Sequence, residues 1–512
     1  MPVASQPEAP PASMRPRLLA ERLDFMPDPE RAFVHIYGAS RNAFWLDSGT
    51  VGERGRFSFM GDSEGPLGAL ITYDLERRQV RVERHGEAVE LRDESIFDYL
   101  ERELGLLRQA ESGLPFDFEC GFAGYLGYEL KAECEAIAAH SAPTPDAAFI
   151  QADRLIAFDR QERHAYLLVL VPAAHRTCLP RGRQSDAPER WIEETARQLI
   201  SLPALDEPPP SMVAAELVLR RSPERYREDV IACKRFLEAG HSYEICLTNK
   251  AVAEAPLEPL DLYRALRRVN PAPFSAYLRF GDLAVLSSSP ERFLSIDREG
   301  RAEARPIKGT SRRAESGEED ARLAAALGSD AKNRAENVTI VDLVRNDLGR
   351  VCAIGSVEVP ELMGVETYET VHQLVSAVRG RLRPEVGISE AIRACFPPGS
   401  MTGAPKLRTM EIIDELEGEA RGVYSGAIGY LGPGGGCDLS VAIRTIVLDA
   451  GKMTIGAGGA IVADSDPERE LDEMLLKAAA PAAALGSGTS ISFASAAAPT
   501  YSRRRPTSPT PS

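Results

Sequence analysis

The chain has 512 residues, which is long enough for two or more hydrophobic cores or for one large composite domain. Its 60 Lys and Arg residues against 76 Asp and Glu residues give a net charge of −16, and this negative field argues against a nucleic-acid-binding protein. No apolar run approaches the ~18 residues of a membrane helix, and the proline-rich N-terminus lacks the apolar segment of a secretion signal. Because the net charge is negative and repels anions, an anionic ligand requires a local positive site or a metal ion.

The cysteines are scattered along the chain, and none of them forms a C-x-x-C pair. This spacing supports neither a zinc site nor a disulfide framework, so we expect reduced thiols in a cytoplasmic protein. The eight cysteines are Cys120, Cys134, Cys178, Cys233, Cys246, Cys352, Cys395 and Cys437.

Short alternating apolar runs dominate from residue 31 to about residue 174, after a leader at 1–16 that we predict to be disordered. Such runs, separated by Gly, Asp and Arg clusters, predict antiparallel strands. Two helices are also predicted, at 96–107, where the apolar residues form one stripe, and at 189–200. The predicted strands are 32–36, 43–46, 69–73, 121–128 and 165–170.

A proline-rich passage at 202–212 predicts a linker to a second region, 213–480, in which helices alternate with strands. Residues 481–512 are rich in Ala, Ser, Pro and Thr. A segment of this composition buries too little apolar surface to fold, so we predict a disordered C-terminal tail.

Lys308 stands in the stretch 305–310, between a proline and a Gly-Thr pair. Pro306 fixes its own φ angle and Gly309 can adopt angles that other residues cannot, so a loop here can hold Lys308 in one direction. A lysine that is desolvated, or that lies near other positive charge, has a lowered pKa and becomes a neutral amine nucleophile. The alternative is a solvated lysine in a hairpin-like turn.

Glu336 lies near the start of a helix predicted at 333–349. The helix dipole favours a carboxylate at that position, which is a purely structural explanation. The same group is also a hard oxygen ligand of the kind that Mg²⁺ prefers.

A second acidic helix begins after residue 466, where Asp466 suits the N-cap and Pro467 the first helical position. Glu470 and Glu473 are three residues apart and therefore share one face. Glu473 lies beyond the first turn, where the helix dipole no longer explains it, so it is the better metal ligand. Lys477 follows one turn later on that face.

Two further features favour a site for a small anion. The Gly- and hydroxyl-rich loop at 396–406 leads into a helix that begins near Pro405, and its backbone N–H groups can hold an anion, although it also suits an ordinary helix entry. Arg444 lies in an apolar strand predicted at 439–448, so it is either paired with an acid or free for a substrate carboxylate.

The order of these motifs resembles the chorismate-utilising enzymes, which include anthranilate, aminodeoxychorismate, isochorismate and salicylate synthases. The resemblance spans about 220–480 through Ser-Pro-Glu at 289–291, the Lys308 stretch and the motifs above. Residues 45–48 (Trp-Leu-Asp-Ser) and 124–128 (Gly-Tyr-Leu-Gly-Tyr) resemble the family's N-terminal domain. The resemblance implies an α+β fold in which antiparallel β-sheets pack as a sandwich with flanking helices.

The resemblance also implies that residues 17–202 form the N-terminal domain and residues 213–480 the chorismate-binding catalytic domain. Two positions favour one member of the family. Anthranilate synthases carry alanine where Lys308 stands, whereas aminodeoxychorismate synthases carry lysine. Isochorismate and salicylate synthases have a water-activating lysine where this chain has Glu244.

These positions imply an aminodeoxychorismate synthase component I, which converts chorismate and ammonia to 4-amino-4-deoxychorismate for para-aminobenzoate and folate synthesis. The nearest alternative is an anthranilate synthase component I, or a 2-amino-2-deoxyisochorismate synthase, with an atypical lysine. An alternative of another class is a non-catalytic regulatory paralogue.

The same resemblance implies a role for each candidate residue. Lys308 would attack C2 of chorismate, and Glu291 would protonate the departing C4 hydroxyl group. Glu336 and Glu473, with Glu470 nearby, would hold Mg²⁺ on the ring carboxylate. The positions that match the family's substrate or metal site are Thr310, Tyr430, Arg444, Gly458 and Lys477.

No glutamine-hydrolysing cysteine signature is visible, so we expect ammonia from solution or from a separate glutamine amidotransferase subunit. His372 is displaced by one position from the family's histidine and receives no catalytic role. The N-terminal domain of the family can also bind tryptophan, and the alternative here is plain packing between the two regions. The matching positions are Ser48, Arg56, Phe57, Pro273, Phe274 and Ser275.

Overall fold

The computed structural model describes residues 15–49, 55–109, 112–172, 187–206, 216–254, 258–368, 371–486 and 489–493. Within these residues the chain forms ten α-helices. They are α1 (Pro29–Ile36), α2 (Ile96–Leu107), α3 (Pro188–Ile200), α4 (Pro223–Glu238), α5 (Pro259–Val269), α6 (Gly317–Ser329), α7 (Ala331–Gly349), α8 (Ile388–Cys395), α9 (Lys406–Glu417) and α10 (Pro467–Ala482).

The described residues also form twenty-five β-strands. In chain order they are β1 (Arg17–Leu23), β2 (Asn42–Asp47), β3 (Phe57–Asp62), β4 (Ala69–Asp74), β5 (Gln79–Glu83), β6 (Glu90–Arg92), β7 (Gly121–Leu126), β8 (Ala147–Ala152), β9 (Arg154–Asp159), β10 (His164–Val171), β11 (Glu216–Leu219), β12 (Glu244–Glu254), β13 (Phe274–Phe280), β14 (Leu283–Ser289), β15 (Arg292–Ile296), β16 (Arg301–Arg305), β17 (Ile307–Arg312), β18 (Glu358–Thr367), β19 (Val371–Arg381), β20 (Gly403–Ala404), β21 (Ala427–Leu431), β22 (Cys437–Val441), β23 (Thr445–Asp449), β24 (Lys452–Ile461) and β25 (Ser490–Phe493).

These strands assemble into two large sheets. The first sheet has 13 strands in the order β1-β10-β9-β3-β2-β13-β14-β23-β24-β12-β11-β25, with β20 beside β12. The second sheet has 12 strands in the order β17-β19-β16-β15-β22-β21-β7-β8-β4-β5-β6, with β18 beside β19. Neighbouring strands run antiparallel, apart from β11 and β25, which are parallel. The predicted α+β fold built on antiparallel sheets is therefore confirmed.

The two sheets face each other across one hydrophobic core. In β2, Phe44 belongs to this core, whereas its neighbour Trp45 belongs to a second core on the opposite face of the sheet. Leu278 and Tyr277 of β13 divide in the same way, because successive side chains of a strand point to opposite faces. Residues of α1, α4, α5 and α10 complete the second core. The predicted sandwich with flanking helices is thus present.

Both sheets contain strands from both predicted regions. Ala276 of β13 pairs with Leu46 of β2 in the first sheet, and Gly429 of β21 pairs with Gly124 of β7 in the second. The linker predicted at 202–212 therefore divides the chain only along the sequence. The residues on its two sides build the same sheets and share their hydrophobic cores. Part of that passage lies outside the described residues.

Several short connections carry the chain from one sheet to the other, and two of them bear on the candidate site. Because β14 belongs to the first sheet and β15 to the second, Pro290 and Glu291 form one crossing. Strands β22 and β23 also belong to different sheets, and Arg444 lies between them with φ +52°. The single strand predicted at 439–448 is therefore wrong, because the backbone turns at Arg444 to reach the other sheet.

The first predicted strand, 32–36, is also wrong, because these residues lie in α1. The Asp28 carboxylate accepts a 2.8 Å hydrogen bond from the Arg31 N–H, and Pro29 occupies the first turn. This cap and this proline favour helix entry, and they outweigh a short apolar run. The helix predicted at 96–107 is confirmed as α2.

The C-terminal part of the chain is ordered beyond the predicted start of the tail. Helix α10 continues to Ala482, and a 3₁₀ turn at Ala483–Leu485 follows it. Strand β25 then pairs with β11. Ala482 and Leu485 belong to the second core, so small apolar side chains anchor a segment whose composition suggested disorder. Residues 1–14 and 494–512 lie outside the described part of the chain.

Two other features of the described residues bear on the protein's class. The cysteines there are buried and unpaired, while Cys178 falls outside them. Among the described helices, none combines the length and the apolar character needed to span a bilayer.

The shared sheets predict that both regions unfold together. Leu278, which is fully buried in β13, belongs to the second region, whereas both tryptophans, Trp45 and Trp191, belong to the first. Leu278→Ala should lower the free energy of unfolding by about 2–5 kcal/mol and shift tryptophan fluorescence and circular dichroism transitions equally in urea. The exposed Leu476→Ala is the control. A fluorescence transition that stays in place while circular dichroism shifts would contradict the shared core.

Candidate active site

Lys308 lies in β17, at the edge of the second sheet. Gly309 adopts φ +95°, and the register against β19 shifts between Ile307 and Thr310, so the stretch is a bulged strand and not the predicted loop. Lys308 is 7% exposed, and its Nζ donates a 2.7 Å hydrogen bond to Glu244 Oε1. Because Glu244 belongs to β12 of the first sheet, this ion pair spans the gap between the sheets.

The charge of Lys308 differs from the sequence-based prediction. Burial lowers the pKa of Lys308, but the carboxylates of Glu244 and Glu336 outweigh it and raise that pKa above its ordinary value. The predicted lowering of the pKa is therefore wrong for the protein without a ligand, in which Lys308 is an ammonium ion. An attack by this nitrogen first requires that a neighbouring base take its proton.

Three glutamates on α7 and α10 gather beside this ion pair. Glu336 is 7% exposed and Glu470 is 1% exposed. The Nζ atom of Lys332 lies 2.6 Å from Glu470 Oε1 and 3.7 Å from Glu336 Oε1. The Nζ atom of Lys477 lies 2.6 Å from Glu473 Oε1. The predicted metal ligands are thus neighbours, and the ammonium groups of two lysines lie among the three carboxylates.

The donor atoms of this cluster suit a divalent cation. Oε2 of Glu470 is buried without a hydrogen-bond partner in the described structure. A Cβ atom on Gly459 would stand 3.4 Å from that oxygen and 3.7 Å from Glu473 Oε1, so the two carboxylates reach the same spot. Burial raises the pKa of Glu336 to about 7, which indicates a carboxylate with too little positive charge around it.

The cluster is not already arranged around an ion position. Across the described ranges, no three Asp, Glu, His or Cys side chains are placed to hold a metal ion together. The ammonium group of Lys332 bridges Glu336 and Glu470 instead. The side chains therefore fit a cation if Lys332 withdraws from between them.

Glu291 lies in the crossing between β14 and β15 and is 5% exposed. Burial raises the pKa of its carboxyl group to about 7, against the lowering effect of the Lys308 charge. Glu291 lines a small cavity together with Gly399 and Ser400, because the predicted glycine-rich loop folds as a 3₁₀ turn at Gly399–Met401. A carboxyl group with this pKa can donate a proton at neutral pH.

Arg444 is a cation without a counter-ion in the described structure. Burial lowers the pKa of its guanidinium group, while Tyr424 and Glu473 act to raise it, but no carboxylate of the described residues forms an ion pair with it. The residue is half-buried, and leaving a partly desolvated charge unpaired is costly. The guanidinium group is therefore available for an anion, such as a ligand carboxylate.

Three residues of the site are not indicated by the sequence motifs: Tyr424, Lys332 and, as the partner of Lys308, Glu244. The Tyr424 ring packs so closely on Gly456 that a Cβ atom there would lie 2.2 Å from it. The available signals are weak. Glu244 is a charged residue at the start of an apolar strand, and Lys332 precedes a ligand candidate by one helical turn.

Two predicted substrate residues do not join the cluster. The Tyr430 ring stacks on Phe118 with a centroid distance of 4.6 Å and lines a different cavity. Thr310 is exposed, because the bulge at Gly309 interrupts the alternation of side chains along β17. In contrast, Gly458 joins it, since its carbonyl accepts a 2.9 Å hydrogen bond from Lys477 Nζ.

His372 lies in a separate polar contact. Its Nε2 atom is 3.0 Å from Asp320 Oδ1, and its Nδ1 atom is 2.9 Å from Thr367 Oγ1. Both partners, on α6 and β18, lie outside the cluster of Lys308, Glu336 and Glu473.

The positions predicted for tryptophan line one cavity of about 200 Å³ at the junction between the two sheets. Ser48 donates a 2.7 Å hydrogen bond to the Phe57 carbonyl, and Arg56 forms a 2.6 Å ion pair with Asp159. The Arg56 guanidinium lies 4.7 Å from the centroid of the Phe57 ring. The remaining lining residues from the prediction are Pro273, Phe274 and Ser275.

A buried arginine ties together the elements that carry these groups. Arg421 donates hydrogen bonds of 2.8 Å to the Cys246 carbonyl in β12 and of 2.6 Å to the Met401 carbonyl in the glycine-rich loop. It also donates to both carboxylate oxygens of Glu417 at 2.7 and 2.8 Å. The strand that carries Glu244 and the loop beside Glu291 are thus fixed to one guanidinium group.

Comparison with known proteins places this geometry in context. Residues 42–483 match the profile described as chorismate binding enzyme. The chain is 49% identical over 475 residues to an aminodeoxychorismate synthase from Streptomyces pristinaespiralis, which covers 92% of this chain and 65% of that protein. It is 42% identical over 486 residues to the chloroplastic aminodeoxychorismate synthase of Arabidopsis thaliana, covering 88% of this chain and 52% of that protein. The chain thus spans about half to just under two-thirds of these relatives.

Other relatives match along most of their own length. The anthranilate synthase component 1 of Pseudomonas aeruginosa is 36% identical over 447 residues, covering 85% of this chain and 88% of that protein. Among solved structures, anthranilate synthase component I from Streptococcus pneumoniae TIGR4 superposes with a TM-score of 0.69 at 32% identity, covering 83% of this chain and 92% of that one. The menaquinone-specific isochorismate synthase of Escherichia coli, at 15% identity and TM-score 0.63, covers 92% of this chain and 96% of that one and shares the fold.

Proposed function

The chain belongs to the chorismate binding enzyme family, and we propose that it is the chorismate-converting component of an aminodeoxychorismate synthase. The observation that carries this proposal is the placement of Lys308, buried between the sheets and coupled to Glu244 and Glu336. A surface lysine would not serve as a nucleophile, whereas one held in a closed, charged site can. The 49% identity to an aminodeoxychorismate synthase, against 36% for an anthranilate synthase, supports the same choice.

The proposed substrates are chorismate and ammonia. Chorismate carries a ring carboxylate, an enolpyruvyl carboxylate and a C4 hydroxyl group that leaves poorly. Arg444 offers an unpaired guanidinium for one carboxylate. Glu336, Glu470 and Glu473 would hold Mg²⁺ near the other once Lys332 withdraws. When bound, the ion neutralises that carboxylate and draws electron density toward it.

In the proposed reaction Lys308 attacks C2 of chorismate, and the C4 hydroxyl group departs with a proton from Glu291. Ammonia then attacks C4, and the bond between C2 and the lysine nitrogen breaks. One difficult substitution is divided into two easier ones by the covalent intermediate. Glu291 suits the acid role because burial raises the pKa of its carboxyl group to about 7, so much of it is still protonated near neutral pH.

Ammonia reaches the site either from solution or from a separate glutamine amidotransferase subunit. The product would lead to para-aminobenzoate and then to folate, in the cytoplasm.

The cavity of about 200 Å³ at Ser48, Arg56 and Phe57 is proposed to take tryptophan. Its aromatic lining suits an indole ring, and its serine hydroxyl and guanidinium groups suit the polar end of an amino acid.

An anthranilate synthase component I is the second candidate, since such proteins match 88% of their own length. Product analysis by chromatography separates the two functions, because one yields anthranilate directly and the other yields para-aminobenzoate only after a lyase is added. A non-catalytic paralogue is tested by the same assay through magnesium-dependent consumption of chorismate.

Removal of the Lys308 amine should abolish formation of aminodeoxychorismate. We expect Lys308→Ala to lower kcat with ammonium and Mg²⁺ on the order of 10³-fold or more, with anthranilate as any residual product. Mass spectrometry of the wild-type enzyme trapped with chorismate should show an adduct on Lys308. The exposed Lys452→Ala is the control. A fully active enzyme that never carries label on Lys308 would refute the nucleophile assignment.

The pKa of Glu291 predicts a loss of activity at alkaline pH. Its raised pKa of about 7 means that the acid form is present below that pH and disappears as the pH rises through it. At saturating Mg²⁺, kcat should fall about tenfold per pH unit above 7, provided that chemistry limits the rate. Glu291→Gln should lower kcat at pH 6 by about 10²–10⁴-fold and lack this decline. A wild-type kcat that is constant to pH 9 would exclude Glu291 as the acid.

The proposed metal ligands can be tested without turnover. Glu473→Gln and Glu336→Gln should each weaken binding of Mg²⁺, measured by calorimetry with chorismate absent and present, by about tenfold or more. Glu468→Gln is a matched control on α10, because Glu468 is exposed and pairs with Arg227 at 2.8 Å. Equal loss in all three variants would indicate a general charge effect and not coordination.

A further inference from the structure

We infer that Glu244 is the base that removes a proton from Lys308 before the attack and returns it when the amine leaves. This inference rests on the proposed function and assigns a role to a residue that the sequence analysis used only to distinguish members of the family. The two side chains come from different sheets, Glu244 from β12 and Lys308 from β17, and meet in the space between them.

The geometry suits direct proton transfer. Nζ of Lys308 lies 2.7 Å from Glu244 Oε1, and the two residues are 7% and 1% exposed, so bulk water does not carry the proton. Among the described residues, Glu244 is the residue with which Lys308 forms an ion pair. The other titratable groups that act on the lysine are farther away. They are Glu336 of α7, Glu473 of α10, Glu291 of the crossing and Cys246 of β12.

Glu244 differs from the structural carboxylates around it. Both oxygens of Glu417 accept hydrogen bonds from Arg421, and both oxygens of Glu129 accept backbone N–H groups. In contrast, Oε2 of Glu244 is buried without a partner in the described structure. A carboxylate whose only task is to hold a strand in place is normally satisfied on both oxygens. The contact of Oε1 with the lysine nitrogen is what an acceptor of its proton requires, and the open Oε2 shows that no other donor holds the carboxylate.

The proton balance of the proposed reaction closes with this assignment. The proton of the Lys308 ammonium passes to Glu244, and the resulting amine forms the bond to C2 as the C4–O bond breaks. The hydroxyl group takes the proton of Glu291 and leaves as water. When ammonia attacks C4, the C2–N bond breaks and releases a neutral lysine, which recovers its proton from Glu244. The new ammonium group on C4 returns a proton to Glu291, so the cycle ends as it began.

The test uses Glu244→Gln and Glu244→Asp in the full chain, with Glu254→Gln at the exposed end of β12 as the control. Glutamine can still accept a hydrogen bond from Lys308 but cannot take its proton. At pH 7, with chorismate, Mg²⁺ and ammonium, we expect Glu244→Gln to lower kcat by about 10²–10⁴-fold and to change KM less than about threefold. Glu244→Asp, which keeps a carboxylate, should lose less, and it serves if the glutamine variant does not fold.

The pH profile distinguishes a base from a structural contact. In Glu244→Gln the deficit in kcat relative to wild type should shrink as the pH rises from 7 to 9.5, because the lysine has lost the carboxylate that raises its pKa and a growing fraction of it is already neutral. A merely structural role predicts a deficit that is the same at every pH. A constant deficit, or a kcat within about threefold of wild type at pH 7, overturns the inference.

A second readout does not depend on the proposed reaction. Trace acetylation of Lys308 by acetic anhydride at pH 7 is measured by peptide mass spectrometry relative to the exposed Lys452. Because the Glu244 carboxylate raises the pKa of Lys308, its replacement by glutamine should leave more neutral amine and make acetylation about tenfold faster. Faster acetylation together with slower turnover is the result expected of a base, because a mere counter-ion would not slow turnover by its loss. An unchanged acetylation rate would show that the Lys308 proton is not shared with Glu244 and overturns the inference. A wild-type enzyme that forms no aminated product refutes the proposed function, whereas the labelling result still tests the coupling of Lys308 to Glu244.

Discussion

The ion pair between Lys308 and Glu244 joins the two sheets at the point where the candidate site lies. Bringing both charges out of water costs several kcal/mol for each ion, and the attraction between them in a poorly hydrated interior offsets this cost only when the geometry is good. A pair of apolar side chains at the same place would hold the sheets together at least as well. The presence of this pair is therefore better explained by chemistry than by stability.

The surrounding fold keeps this pair in place. Arg421 binds the backbone of β12 and of the glycine-rich loop at once, so Glu244 and the neighbours of Glu291 share one rigid support. Two of the crossings between the sheets place Glu291 and Arg444 at the same gap. Helices α7 and α10 add the glutamates from one side. Each of these elements is ordinary by itself, and the site exists because they converge.

Local signals in the sequence account for the elements that could be predicted. The apolar stripe of α2 and the Asp466–Pro467 start of α10 depend on neighbours within a few residues, and both are found as expected. The sandwich of antiparallel sheets is implied by the resemblance to the chorismate-utilising enzymes, which rests on the order of the motifs. The pairing of Lys308 with Glu244 could not be predicted, because it joins residues that lie 64 positions apart.

The errors have similar causes. The change of sheet at Arg444 depends on tertiary structure, while the apolar run around it looks like one strand. Tyr430 was placed by motif alone, but the ring packs on Phe118 across the other cavity. The sequence predicts a desolvated Lys308 with a lowered pKa, and the burial is found. The pKa is raised instead, because carboxylates from α7 and β12, which no local pattern reveals, lie around the lysine.

The pairing of β13 with β2, and of β21 with β7, has a consequence for any attempt to divide the protein. A fragment that begins after residue 213 would leave β13 and β21 as bare edges, each with a row of unpaired N–H and C=O groups. Edges of this kind recruit strands from other molecules and cause aggregation. The N-terminal strands thus cover the strand edges of the half that carries the candidate site. Fragments that lack these strands should therefore aggregate.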